Sequence, residues 1–301
     1  MYGYGDNENV TIRPNVASWK KTSTTKIYNV CQNMTNSNNI HGLNKVDSVT
    51  TMMQNTQWGA VAYLAQSEYG NMQTKDEESG IWNNSYNEGV LFKRDDIEGN
   101  IYNRAVNLTG MAGDTRDSST EYNSDVKNKN IKEDSIEITY EKLNGQQYTK
   151  NFWRYYTKNG KKASTTRNIY GIYDMAGGAW EYTASYLENA TTNPFVNDFL
   201  GFSKKYQTRY KGNGKTDSVE DSNENYEANK DKYGDAMWET SNNKNQYNSW
   251  NNDSLYTLYY SGPFIVRGGT CFEAETTGIF SFSRDHGLSN VYVYAFRVVL
   301  I

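Results

Sequence analysis

The apolar positions of this chain come in short groups separated by polar stretches. Over 57–68, QWGAVAYLAQSE, the residues Trp58, Val61, Ala62 and Ala65 recur at i, i+3, i+4 and i+7. That spacing lines one face of a helix and predicts a buried stripe. Residues 24–35, TTKIYNVCQNMT, gather Ile27, Val30 and Cys31 on one side and predict a short helix. Asp47, ahead of Ser-Val-Thr-Thr-Met-Met, has the chemistry of an N-cap and predicts a further helix start. The β-branched run 136–143, IEITYEKL, predicts a strand ending at Asn144-Gly145. A turn there returns the chain through Gln147-Tyr-Thr-Lys-Asn-Phe-Trp-Arg-Tyr155 as a hairpin. Residues 169–174 and 179–186 read as strands around a Gly-Gly turn. Two separated helices with many short strands predict an α+β domain.

Long polar segments lie between these groups. Residues 70–130 are rich in Gly, Asn, Asp and Ser and predict loops with short strands. Residues 204–254 form a polar insertion with charges of both signs, in which Trp238, Tyr247 and Trp250 are candidate anchors. Residues 1–23 read as a tail or leading strand, and 24–301 as a single domain without internal repeats. Only 36% of the 301 residues are apolar, and mean hydropathy is −0.88. The 26 Tyr, 10 Phe and 7 Trp offset this, because each ring buries a large area, so one compact core is expected. With three prolines, the loops must be ordered by Gly, Asn, Asp and side-chain hydrogen bonds.

Net charge is −4, with Lys and Asp/Glu intermixed, which leaves no basic footprint for nucleic acid. No apolar run approaches the ~20 residues of a membrane span. The opening MYGYGDNENVTIRPNV lacks both the basic and the apolar region of a signal peptide. Two routes to a surface stay open: assembly or release from inside the cell, or an anchor that preceded this sequence. Cys31 and Cys271 are the two cysteines; a long-range disulfide and two free thiols are both compatible with them. No CxxC pair or zinc-ligand spacing occurs. His41 and His286 are the only histidines and neither sits in a motif. Gly-x-Ser-x-Gly and His-Glu-x-x-His are absent.

Three segments carry a resemblance. Gly171-Ile-Tyr-Asp-Met-Ala-Gly-Gly-Ala-Trp-Glu-Tyr-Thr-Ala-Ser185 resembles the G-L-Y-D-M-x-G-N-V/A-W-E-W-T segment of the sulfatase-modifying, formylglycine-generating-enzyme family. Arg267-Gly-Gly269 resembles its R-G-G-S/T, and Ala295-Phe-Arg-Val-Val-Leu300 its closing G-F-R-V-V. Trp58-Gly-Ala-Val-Ala-Tyr-Leu64 and Tyr233-Gly-Asp-Ala236 look like segments of secreted or pilin-like gut bacterial proteins with this domain. The resemblance implies a C-type-lectin-like fold of the formylglycine-generating-enzyme subtype, with two helices, a twisted mainly antiparallel sheet and long loops. Its enzymes need two nearby cysteines close to the C-terminus to hold copper, and thiolates suit Cu(I) because both are soft. Only Cys271 lies in that region, so a copper-dependent oxidase is the least favoured reading. The non-enzymatic relatives, the variable proteins of diversity-generating retroelements, are the closer match.

Those relatives vary a patch of side chains on a fixed scaffold. Between the Arg267-Gly-Gly and Phe296-Arg-Val-Val segments, Gly278, Ile279, Phe280, Phe282 and Gly287 read as framework that turns the chain and fills the core. Cys271, Phe272, Ser283, Arg284, Asp285, His286, Leu288, Ser289, Asn290, Val291, Tyr292 and Tyr294 mix every chemical type without a period. Retroelement mutagenesis randomises adenines, mostly in Asn codons. An AAC codon so altered never yields Lys, Glu, Gln, Met or Trp, and none of these occurs from Thr276 to Phe296. Tyr and Arg are enriched at binding hot spots, which suits this set to recognition.

The resemblance also implies a structural Ca²⁺ site at the Gly-rich turn. Asp174 and Glu181 would supply side chains, and Gly177 and Ala179 backbone carbonyls, a hard oxygen set that calcium accepts. Gly178 stands where the family has Asn. The alternative is a Gly-Gly turn with Glu181 bonded to backbone N–H groups. Arg267 and Arg297, set in apolar strands, are expected to be structural and to find carboxylates or carbonyls. The expected function is ligand or receptor binding without catalysis, toward a protein or glycan target on another cell or particle. The place implied is a bacterial cell surface or a phage particle. The alternative is a structural pilus or phage-particle component with an inert 270–294 surface.

Overall fold

A computed structural model describes residues 12, 18–19, 22–36, 39–70, 110–112, 135–141, 147–157, 160–212, 219–241, 249–250, 253–270, 277–288 and 294–301. The fold is α+β. Its centre is the strand Trp180–Leu187 (β5), all eight residues of which are buried. One edge of β5 pairs antiparallel with Phe264–Arg267 (β7), which pairs in turn with Phe282–Asp285 (β8). The opposite edge is shared by two short parallel partners: Thr208–Tyr210 (β6) takes residues 185–187 and Tyr294–Phe296 (β9) takes 180–182. A second sheet joins Thr50–Met52 (β1) to Val298–Leu300 (β10), antiparallel, so the C-terminal strand closes onto an early one. A third holds Met111–Ala112 (β2), Gln147–Arg154 (β4) and Ser135–Glu141 (β3) in the order β2-β4-β3.

The helix Thr24–Asn33 (α1) starts where the Ser23 hydroxyl accepts from the Lys26 N–H at 3.2 Å, and it buries Ile27, Tyr28, Val30 and Cys31. The helix Asn55–Ala65 (α2) buries Trp58, Ala62 and Ala65, three of the four stripe residues, with Val61 half-buried. Its start is braced by Gln57, whose side chain accepts from the Gln54 N–H at 2.8 Å. Where the pattern predicts two helices, the described residues contain four. Pro194–Gly201 (α3) follows Asn193, which caps the N–H groups of Phe195 and Val196. Val219–Asn229 (α4) lies inside the polar insertion.

Two further expectations are corrected. No helix begins at Asp47: Thr50 and Thr51 instead join β1, where pairing with the C-terminal strand outweighs the capping signal. Residues 169–174 are turn and irregular chain, not a strand. β3 and β4 pair antiparallel from Ser135↔Trp153 to Glu141↔Gln147, and the expected turn at Asn144-Gly145 lies outside the described residues. Ile279, Phe280 and Phe282 are buried, as the framework reading requires.

The main core stacks aromatics on β5 and its neighbours. Tyr182, Tyr186, Phe199, Phe264, Phe282 and Phe296 are all 3% exposed or less, and burial of each such ring contributes about 1.5–3 kcal/mol. A second cluster holds Trp58, Ala62 and Ala65 against Met175, Ile279 and Phe280. The three segments that carry the family resemblance meet at β5. Gly177 donates its N–H to the Gly268 carbonyl at 2.7 Å, Glu181 lies opposite Arg267, and Tyr182 opposite Phe296.

Candidate binding surface and its supporting frame

A buried polar frame surrounds Arg267. Arg267 is fully buried, and its guanidinium donates to Asn55 Oδ1 at 2.9 Å and to the carbonyls of Asp235 and Ala236 at 3.1 and 3.0 Å. It also lies 5.6 Å from the Trp58 ring. Asn55 donates to the Tyr210 hydroxyl, which donates to Asp235 at 2.6 Å. Glu239 accepts from the N–H groups of Gly234 and Ala236 and from the Tyr63 hydroxyl. Burial pushes the Asp235 carboxyl up to about 6 and lowers the Arg267 guanidinium to about 10. The frame ties α2, β6, β7 and the 233–240 turn together, as expected of a structural Arg267.

Glu181 and Arg297 form the second tie. Arg297 Nε and Nη2 grip the two Glu181 oxygens at 2.9 and 2.8 Å, and the guanidinium also donates to the carbonyls of Tyr173 and Asp174 at 2.9 Å each. Burial raises the Glu181 carboxyl above its ordinary value, and Arg297 opposes that rise. Asp174, with φ of 63°, accepts from the Gly110 N–H. Gly177 and Gly178, both at positive φ, turn the chain between Asp174 and Glu181. Both Glu181 oxygens are taken by the Arg297 guanidinium rather than by backbone N–H groups. Among the described residues no group of three or more His, Cys, Asp or Glu side chains is placed to hold a metal.

Of the candidate surface, Cys271, Phe272, Ser289, Asn290, Val291 and Tyr292 lie outside the described residues. The rest divide by strand alternation in β8. Ser283 and Asp285 face one side and Arg284 the other. Asp285 turns inward and is 8% exposed. Its carboxylate accepts from the Tyr182 hydroxyl and from the Gly287 N–H at 3.0 Å, and it faces His286 Nδ1 at 3.3 Å. The Tyr182 phenol, buried beside that carboxylate, is pushed well above its ordinary value. The Tyr294 ring lies 5.2 Å from the Tyr182 ring. The structure thus brings Asp285 and Tyr294 against Tyr182, with His286 beside Asp285.

The backbone here is held from three directions. Thr24 donates its N–H to the Gly287 carbonyl at 2.9 Å, Ser23 bridges to Leu288, and Asn193 Nδ2 donates to the His286 carbonyl at 2.9 Å. Gly287 has a φ of 92°, and an added Cβ would meet Phe264 and Thr24 within 3.0 Å, so no larger residue fits this turn. On that fixed backbone the His286 side chain is 64% exposed and Leu288 40%. Arg284 is clamped instead. Its guanidinium lies 3.4 Å from the Tyr259 ring centroid and donates to the Thr257 carbonyl at 2.8 Å, with Gly262 packed under its stem.

Sequence reasoning missed the residues that position this surface: Tyr182, Thr24, Asn193 and Tyr259. Each lies at least 25 positions from its partner in β8 or the following turn, and such pairings leave no local pattern. Asn193-Pro194 alone carried a readable signal, that of a helix start. Comparison of the chain with known protein families, with curated proteins and with solved structures finds no match.

Proposed function

We propose that this chain is a non-enzymatic binding protein that presents side chains of the 271–294 segment on a rigid scaffold to a protein or glycan target. The fold is proposed to be the C-type-lectin-like type of the formylglycine-generating enzymes. Support comes from the pairing of β1 with the C-terminal β10 and from the meeting of the three motif segments at β5. The observation that carries the function is the contrast within 285–288. The backbone and Asp285 are tied to α1, to the α3 cap and to β5, while His286 and Leu288 face solvent. Such an arrangement lets side chains change without unfolding the support, which is what a diversified surface needs. Rigid presentation also lowers the ordering cost of binding. The place proposed is a bacterial cell surface or phage particle, in keeping with a retroelement variable protein.

The test is binding of the purified protein to whole bacterial cells and arrayed glycans, beside the variant His286→Ala/Leu288→Ala. The expected result is binding by the parent and its loss in the variant at an unchanged melting temperature. Binding that survives both substitutions, or a parent that binds no target, contradicts the proposal.

A further inference from the structure

The alternation of β8 divides the candidate positions between two faces, and the face that Arg284 takes carries a site of its own. The Arg284 guanidinium carbon lies 3.4 Å from the centroid of the Tyr259 ring and 5.8 Å from that of Tyr256. Its Nη1 donates to the Thr257 carbonyl at 2.8 Å. Two rings and one carbonyl thus receive one guanidinium. A separation of 3.4 Å is that of flat stacking. It suits a planar, weakly hydrated guanidinium better than the compact, strongly hydrated ammonium of lysine. Arg284, Tyr256 and Tyr259 are each half-buried, so the site reaches solvent.

Most of this receptacle is built without Arg284. The segment from Ser254 to Tyr256 runs along the edge of β8 that β7 leaves free. There the Tyr256 N–H donates to the Phe282 carbonyl at 2.9 Å, and the Phe282 N–H to the Ser254 carbonyl at 3.2 Å. Leu255, Thr257 and Leu258 are buried, and Asn225 Nδ2 donates to the Leu258 carbonyl at 2.9 Å. The Thr257 carbonyl and the backbone that carries both rings are therefore fixed by contacts that a change at 284 leaves intact. Under the Arg284 stem lies Gly262, where an added Cβ would come within 3.2 Å of Arg284 Cγ. A shorter side chain at 284 leaves the space above that glycine open.

We infer that residue 284 sets the specificity of this face by filling or vacating a guanidinium site formed by Tyr256, Tyr259 and the Thr257 carbonyl. The inference rests on the proposed reading of 284 as one of the exchanged display positions. With arginine there, the chain occupies its own site and presents a locked surface. With a short residue there, the site receives an arginine side chain from a protein target. The backbone that carries the rings and the carbonyl does not depend on the occupant. One exchanged codon therefore switches the face between two modes of recognition without rebuilding the scaffold. Tyrosine and arginine are the residues that dominate binding hot spots, and a preformed site keeps the ordering cost small.

The test titrates the full chain carrying Arg284→Ala with ethylguanidinium and with Nα-acetyl-arginine amide, and reads the melting temperature. The controls are ethylammonium as ligand, and the parent and Arg284→Ala/Tyr259→Leu as proteins. The expected result is a saturable rise for Arg284→Ala with both guanidinium compounds, half-complete on the order of 10 mM, as for a stacked ring and a hydrogen bond to a small solute. Ethylammonium is expected to give no such rise, and neither the parent nor the double variant is expected to respond. Absence of a rise in Arg284→Ala overturns the inference, as does an equal rise with ethylammonium, in the parent or in the double variant. Ethylguanidinium that acts while the arginine amide does not also overturns it, because the site is then closed to a residue from outside. Should Arg284→Ala fail to fold alone, folding recovered by both guanidinium compounds carries the same conclusion, and a chain that neither recovers overturns it. No target enters this titration, so its failure and that of the whole-cell binding test are read separately.

Discussion

Asp285 and His286 are adjacent, yet the structure assigns them opposite roles, and paired substitutions measure the difference. Asp285→Ala removes the acceptor of two buried donors, the Tyr182 hydroxyl and the Gly287 N–H. Tyr182 is 1% exposed, so water does not replace the lost carboxylate. Each buried donor left without a partner costs about 1–3 kcal/mol. The two share one acceptor and are not independent, so the expected loss is about 3 kcal/mol in total. Asp285→Asn keeps the shape and one acceptor oxygen and is expected to lose about 1 kcal/mol. His286→Ala removes an exposed ring whose contact with Asp285 is partly solvated, and it is expected to stay within about 0.5 kcal/mol of the parent. The Asn193 bond to residue 286 goes to the backbone carbonyl and survives that change. Urea denaturation reads all three, with the midpoint moving at constant slope. In a thermal scan the Asp285→Ala loss corresponds to roughly 6 °C for a chain of this size. A loss below about 1 kcal/mol for Asp285→Ala, or equal losses at both positions, would refute the division into support and display.

Arg267→Met leaves the carbonyls of Asp235 and Ala236 and the Asn55 side chain without their donor, and is expected to destabilise by about 3–5 kcal/mol in the same urea assay. Asp235 has its carboxyl raised from 3.8 to about 6, chiefly by burial, so the folded state holds the proton more tightly than the unfolded chain. Its contribution is full below 3.8 and is lost as pH rises through about 6, an effect on the order of 3 kcal/mol. The stability of the parent relative to Asp235→Asn should therefore fall across that window, and a constant difference would show that the site is not desolvated.

Elements with a local period were legible in the sequence. The stripe of α2 and the β-branched run of β3 follow from side-chain spacing and residue type alone. The Asp47 signal was overruled by a distant partner, since Thr50 pairs with Leu300, 250 positions later. The 169–174 segment looks like a strand because its apolar residues are those of the exposed loop, where Ile169, Tyr170 and Ile172 face water. At the candidate surface, composition separated Phe282 and Gly287 from their neighbours. It did not separate Asp285, because whether an aspartate is displayed or buried depends on Tyr182, 103 positions earlier. The partner of Glu181 was hidden for the same reason: Arg297 comes 116 positions later.

The central claim is that a diversified surface stands on an invariant frame, and deep sequencing of the 3′ end of this gene in its source population tests it most directly. The account predicts substitutions concentrated in the codons of residues 271, 272, 283, 284, 286, 288–292 and 294, confined to adenine positions of a near-identical template. Phe282, Asp285 and Gly287 are predicted to stay constant. A uniform segment, or an Asp285 that varies as freely as His286, would contradict it.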